Sequence, residues 1–279
     1  MTPTVKLRNF KSLTKFTYVG LPLNMREQLT ANRTYYVSPS GSNSNNGLSA
    51  GSPFLTIQKA VDVVTRTLDL AQYNVTIQLA DGTYTSGATL IAYIGTGAVT
   101  IQGNTGNANA VVINPTNTNA FVAAQTLNYW NLSYMRIQVT GTSGGNVVAT
   151  NGGTLVLNSV NHGSCPDHHI ACYGLSNIVV NNNYTISGGA RTHMISGTGS
   201  SINNANKTIT LSGTPAFTER FVQCWTTGFI FAVSLSFSGA ATGQRYMMNI
   251  GGVVQTNTGN TSYFPGNSAG ATTDYSVYN

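Results

Sequence analysis

The chain has 279 residues, of which 7% are charged and 41% hydrophobic, and its formal net charge is +6. An ordinary soluble domain is about 25% charged; here Asn, Thr, Ser and Gly stand where Lys and Glu usually would. Regular β-branched clusters exclude a disordered chain, and no run reaches the roughly 18–20 apolar residues of a membrane span. Three cysteines (Cys165, Cys172 and Cys224) exclude a disulfide framework.

The charge sits at the start. Residues 1–33 hold Lys6, Arg8, Lys11, Lys15, Arg26 and Arg33 against Glu27, a balance of +5, which leaves +1 for the rest. A nucleic-acid surface clusters basic and aromatic residues on the folded body; this body has no such patch, so no nucleic-acid partner is expected. The arm instead mixes Lys6, Arg8, Lys11 and Lys15 with Phe10, Phe16, Tyr18, Leu21 and Leu23. That mixture suits a segment that docks on an acidic, partly apolar protein partner; a solvated tail is the alternative. On the docking reading, no coil of the folded body draws on residues 1–33. No sustained apolar core follows Lys15, so export by a signal peptide is not expected.

An extended segment from Thr34 to Val37 comes next, then a turn-rich stretch, SPSGSNSNNGLSAGSP. A helix is predicted over about residues 53–69, with Ser52 as N-cap and Pro53 in the first helical position. Ile57, Ala60, Val61, Val64 and Leu68 share one face, and Lys59, Asp62 and Arg66 point away. An amphipathic helix placed here suits the covering of a solenoid's first coil.

From Asn74 the pattern turns to short strands. VTIQL alternates, DGTY reads as a turn in which Asp81 bonds its own backbone, and VTIQ alternates again. Anchors at Ala120, Asn146, His169, His193, Phe221 and Tyr246 are 26, 23, 24, 28 and 25 residues apart. A repeat of this size matches one coil of a parallel β-helix. Asn and Gly end single strands without mirrored partners, which disfavours a sandwich. The reading is an all-β parallel β-helix with an N-terminal capping helix and an extended arm: residues 1–33 the arm, 34–255 the solenoid, 256–279 a C-terminal tip.

The stretch YYVSPSGSNSNNGLSAGSPFLTIQKAVDVV, followed by YNVTIQLADGTYT, resembles the opening of pectate-lyase-like β-helix domains in phage and prophage tail proteins. The closing YFPGNSAGATTDYSVY is similar to C-terminal segments of phage tail fibres. The resemblance covers roughly residues 34–85 and 255–279; between them only the rhythm is alike. It implies a right-handed β-helix, a homotrimeric tail spike or fibre on the virion, docked on other virion proteins and facing a host-surface glycan. The family includes polysaccharide-cleaving members as well as purely structural ones, so a depolymerase is the alternative.

Glycan hydrolysis usually needs two carboxylates, and the chain has seven acidic residues in all. Glu27 lies in the arm, Asp62 and Asp69 on the helix, Asp81 in a turn and Asp274 near the end. Asp167 and Glu219 remain, each two residues before an anchor, and Arg191 holds the same offset. The register stacks these three in one column, about 4.8 Å per coil. They read either as an acid/base pair flanking a sugar or as an Asp–Arg–Glu ladder of neutralised charge. A cation between two carboxylates favours their ionised forms, against the protonated state a general acid needs.

In HGSCPDHHIAC, His162, Cys165 and His168 are candidate zinc ligands. The alternative is a set of polar loop residues around a turn, with Cys165 exposed. Cys172 and Cys224 fall two coils apart, too far for a disulfide, and read as buried thiols. Tyr129, Trp130, Tyr134, Tyr173, Tyr184 and Trp225 are candidates for stacking on sugars. The glycine pairs precede no helix and form no nucleotide fingerprint, so no cofactor is expected.

Overall fold

The computed structural model describes residues 26–126 and 128–279, and the backbone of two strands, Lys15–Tyr18 and Leu21–Asn24, which pair antiparallel. Among the described residues the chain is all-β apart from one α-helix and one short 3₁₀ turn, and it winds as a parallel solenoid of about eight turns. Three sheets of ten, eight and seven strands form its sides. Each complete turn visits them in a fixed order, as in Thr154–Asn158 of the ten-strand sheet, Asn161–His162 of the seven-strand sheet and His168–Cys172 of the eight-strand sheet.

The period-2 alternation is what lets such short strands stack. Val75, Val99, Trp130, Leu155, Ile178, Ile202, Ile230 and Val254 pair in register as one continuous inward column of the ten-strand sheet, and all are buried. Each buried aliphatic side chain is worth about 1.5–3 kcal/mol relative to exposure. In the first turns the outward neighbours are mostly Thr, Asn and Gln, and Gln side chains bridge turns; Gln102 Nε2 donates to Gln78 Oε1 at 2.9 Å. Hydrogen bonds between turns and polar outer faces together explain how so few charges suffice. No helix among the described residues is long and apolar enough to cross a membrane.

The anchors Ala120, Asn146, His169, His193 and Phe221 lie in one column, because Phe121, Val147, Ile170, Met194 and Val222 pair in sequence directly after them. Tyr246 is one position late, since it pairs with Val222 and leaves Arg245 opposite Phe221. Parallel pairing also runs past residue 255, through Ala271–Thr272 and Val277–Tyr278.

Helix α1 spans Ile57–Thr67 and buries Ile57, Ala60, Val61, Val64 and Thr65. It packs against Arg33–Val37, Val75–Leu79 and Ala88–Leu90. The N-cap is Thr56, not Ser52: its hydroxyl accepts from Lys59 N at 3.3 Å. Pro53 cannot open the helix, because its carbonyl accepts from Asn45 Nδ2 at 2.8 Å and from Ser42 N at 3.1 Å. Phe54 then makes a parallel bridge to Val37 and stacks on Tyr35. At the other end Leu68 and Asp69 leave the helix to pair with Glu27 and Gln28.

That pairing corrects the boundary of the arm. Arg26 donates to the carbonyls of Thr65 and Leu68 at 2.6 and 3.0 Å, Leu29 is buried, and Arg33 opens the edge strand Arg33–Val37 of the ten-strand sheet and bonds Glu27. Residues 26–33 therefore belong to the folded body. Lys6, Arg8 and Lys11 lie outside the described residues, and of Lys15 only the backbone is described. The DGTY segment is corrected too: Gly82–Tyr84 is a strand, and Asp81 accepts from Asn104 Nδ2 at 2.9 and 3.2 Å in the next turn.

Candidate functional site

The outer face of the eight-strand sheet carries a linked set of four charges, Asp167, Arg191, Glu219 and Arg220. The backbone N–H groups of Arg191 and Thr192 both donate to the Asp167 carbonyl, which sets Arg191 one turn beyond Asp167. The guanidinium reaches both carboxylates: Nη2 lies 3.7 Å from Asp167 Oδ1 and Nε 3.9 Å from Glu219 Oε1. Glu219 is also held by Arg220 at 3.2 Å, and Asp167 Oδ2 accepts from Gly144 N at 2.7 Å. The four charges cancel, and each carboxylate faces a guanidinium. These pairs are between one third and one half exposed at Asp167, Glu219 and Arg191, so each is worth at most about 1 kcal/mol.

His168 sits under this ladder. Arg191 Nη2 lies 2.7 Å from its Nε2, and a guanidinium can only donate, so Nε2 is unprotonated and Nδ1 carries the hydrogen. Burial, and next the Arg191 charge, push His168 down to about 4. Two aromatic side chains stand beside the ladder. Tyr173, Gly197 and Trp225 follow Cys172, Ser196 and Cys224, which pair in register, so they form one outward column. The Tyr173 and Trp225 rings are 6.4 Å apart, inclined at 68°. Gly197 is required between them, because a Cβ there would lie 2.6 Å from Trp225 Nε1. Burial raises the Tyr173 phenol to about 12, while the fields of Arg191 and Asp167 act on it in opposite directions.

The other candidates fall elsewhere. His162 points into the interior and is fully buried, Cys165 is buried rather than exposed, and His168 is engaged by Arg191. They do not converge: among the described residues, no group of three His, Cys, Asp or Glu is arranged to hold a metal ion. The segment HGSCPDHHIAC is not a set of solvated loop side chains, because both faces of His168–Cys172 are covered. All three cysteines are free and buried, and burial pushes each thiol up to about 12.

Of the aromatic candidates, Trp130 and Tyr184 point inward and are buried, which removes them from any surface. Tyr129 is exposed, and its hydroxyl accepts from Asn177 Nδ2 at 3.0 Å. A separate cleft of about 400 Å³ lies in the first turns between Tyr36, Gln78, Asp81, Gln102 and Asn104. Its amides are largely committed to bonds between turns, so the ladder and its aromatic pair are the stronger candidate. The chain matches no family model, no curated protein and no solved structure.

Proposed function

We propose that this chain is a structural appendage of a phage or prophage particle that binds a host-surface glycan through the outer face of its eight-strand sheet. The observation that carries the glycan reading is the Tyr173–Trp225 pair on the sheet that also bears Asp167, Arg191, Glu219 and Arg220, with Tyr173 in the fields of Arg191 and Asp167. Aromatic faces stack on the apolar faces of sugar rings, and fixed carboxylate and guanidinium groups hydrogen-bond vicinal hydroxyls. The particle reading rests on the resemblance of the opening and closing segments, on the solenoid, and on the uncharged polar surface. In this reading the solenoid winds right-handed, α1 covers its first turn, and the described residues stand outward from the particle.

Binding of purified host capsular or O-antigen polysaccharide tests the glycan reading. Trp225→Ala and Tyr173→Ala are each expected to weaken binding by about 0.5–1.5 kcal/mol, roughly two- to tenfold, with the circular dichroism unchanged. Failure to bind any surface glycan of a susceptible host would overturn it. The runner-up, a depolymerase using Asp167 and Glu219, predicts new reducing or unsaturated ends in the same assay.

Docking on other virion proteins falls to the N-terminal segment, where Lys6, Arg8, Lys11 and Lys15 sit among apolar residues. Because residues 26–33 are built into the body, the informative deletion is residues 1–24. The shortened chain should keep its solenoid, with unchanged thermal melting, and be lost from purified particles. Normal incorporation would place the docking surface elsewhere. Lateral association into a homotrimer has a candidate surface in Phe229, Phe231, Val253 and Val277, outward on the ten-strand sheet. Light scattering of the purified chain tests the stoichiometry.

A further inference from the structure

Three imidazoles meet inside the solenoid. His162 comes from Asn161–His162, His169 from His168–Cys172 and His193 from Ala190–Ser196, and all three are fully buried. Their ring centroids lie 5.4, 5.4 and 5.8 Å apart. Phe217 and Phe221 close the cluster on one side; the Phe221 ring is 4.8 Å from His193.

The polar contacts form a directional chain. Asn204 Nδ2 donates to the Tyr184 hydroxyl at 3.0 Å, and that hydroxyl is 2.8 Å from His193 Nε2. His193 Nδ1 is 3.1 Å from His169 Nδ1. One assignment gives each contact a single donor and the Tyr184 hydrogen a partner. Tyr184 donates to His193 Nε2, and His193 Nδ1–H donates to His169 Nδ1. Each ring is then neutral. With that assignment kept, a second proton on His169 sets N–H against N–H, and one on His193 sets N–H against the Tyr184 O–H; shifting the His193 hydrogen to Nε2 relieves the first only by leaving the Tyr184 hydrogen without a partner.

No counter-charge relieves this. Asp167, His168, Arg191, Glu219 and Arg220, on the same strands, are occupied with one another on the outer face. Tyr184 and Asn204, from the flanking elements, are neutral. Among the described residues no carboxylate bonds any of the three rings.

We propose that this cluster makes the turns from about residue 161 to 225 an acid-sensitive joint, which separates on acidification while the earlier turns stay stacked. The chain's four histidines all lie between residues 162 and 193, so the first turns carry none. Burial holds His162 and His193 well below the ordinary histidine range and His169 at about 3. The folded pKa values lie below the unfolded value near 6.5, so the stabilisation is full above about pH 6.5 and falls as pH drops toward the folded values. Each histidine then shifts the opening equilibrium about tenfold per pH unit, the three interior rings together about a thousandfold, and the buried His168 adds up to a further tenfold above its folded value of about 4.

Hydrogen exchange of the unaltered chain at pH 7 and pH 5 tests the joint. Protection should fall at residues 161–225 and persist at 75–113. Uniform loss, or no loss, would overturn the proposal. Histidine ring NMR provides a second measurement: the interior rings should stay neutral until that protection is lost. Titration near 6.5 with protection intact would overturn it. In a folded double variant, His162→Phe with His169→Phe, the acid effect should weaken by about a hundredfold per pH unit; an unchanged slope would remove these rings as its cause.

Discussion

Replacing Gly87 by alanine is expected to remove a large part of the solenoid's stability. Gly87 precedes the strand Ala88–Leu90, and Ala88 N donates to the Ala120 carbonyl of the next turn at 2.9 Å. A Cβ on Gly87 would overlap that same carbonyl oxygen. Neighbouring strands are held about 4.8 Å apart by their ladder, so neither backbone can withdraw without breaking the bond between Ala88 and Ala120. The cost should reach or exceed the upper end of the roughly 1–3 kcal/mol of ordinary overpacking, with about 1 kcal/mol more for the lost hydrogen bond. A urea midpoint at constant slope measures it. Gly51→Ala is the control, because its nearest neighbouring atom, Ser49 Oγ, would be 4.0 Å from the new Cβ. That substitution should stay within about 0.5 kcal/mol of the parent. If the two substitutions cost the same, the contact between turns at Gly87 is not rigid.

Trp130→Ala should cost about 3–5 kcal/mol, the range for deleting a buried aromatic side chain. Trp130 is fully buried in the inward column of the ten-strand sheet. Its Nε1 donates to the Ile91 carbonyl at 2.9 Å, and its ring meets Tyr93 edge to face at 5.5 Å. Trp130→Phe separates the two contributions, keeping most of the ring and losing the N–H donor. It should cost less than the alanine variant by at least about 1 kcal/mol. Equal losses from both would mean that the hydrogen bond, not the packing, governs this position.

The register between turns was readable because its signal is dense: an inward apolar residue directly follows each anchor, as Phe121, Val147, Ile170, Met194 and Val222 do, at nearly constant spacing. Five of six anchors fall in one column for that reason, and the same register brings Arg191 between Asp167 and Glu219. Local chemistry misled where a distant partner decides it. Ser52 and Pro53 have the residue types of a helix start, but Asn45 takes the Pro53 carbonyl. Residues 26–33 read as part of a tail because their partners, Thr65 and Leu68, are about forty positions away. The imidazole cluster had a usable trace in the sequence, since His169 and His193 are consecutive anchors of one column. Strict alternation concealed it: His168–Cys172 is covered on both faces, where a half-buried strand would be expected.

The parallel stacking also governs how the chain can reach this state. Beyond the pair Lys15–Tyr18 and Leu21–Asn24, all described strand pairs join segments separated by a turn or more, and none is a hairpin. A hairpin nucleus closes a few residues and grows outward; here the first ladder bond already requires a loop of some two dozen residues to close. Loop closure comes before the contacts that reward it, and because each turn pairs only with its neighbours, every added turn meets the same closure cost again. Until the following turn arrives, each newly added strand presents an unpaired edge that another copy can cover. Assembly in the cell is therefore a race between adding the next turn and meeting another unfinished chain.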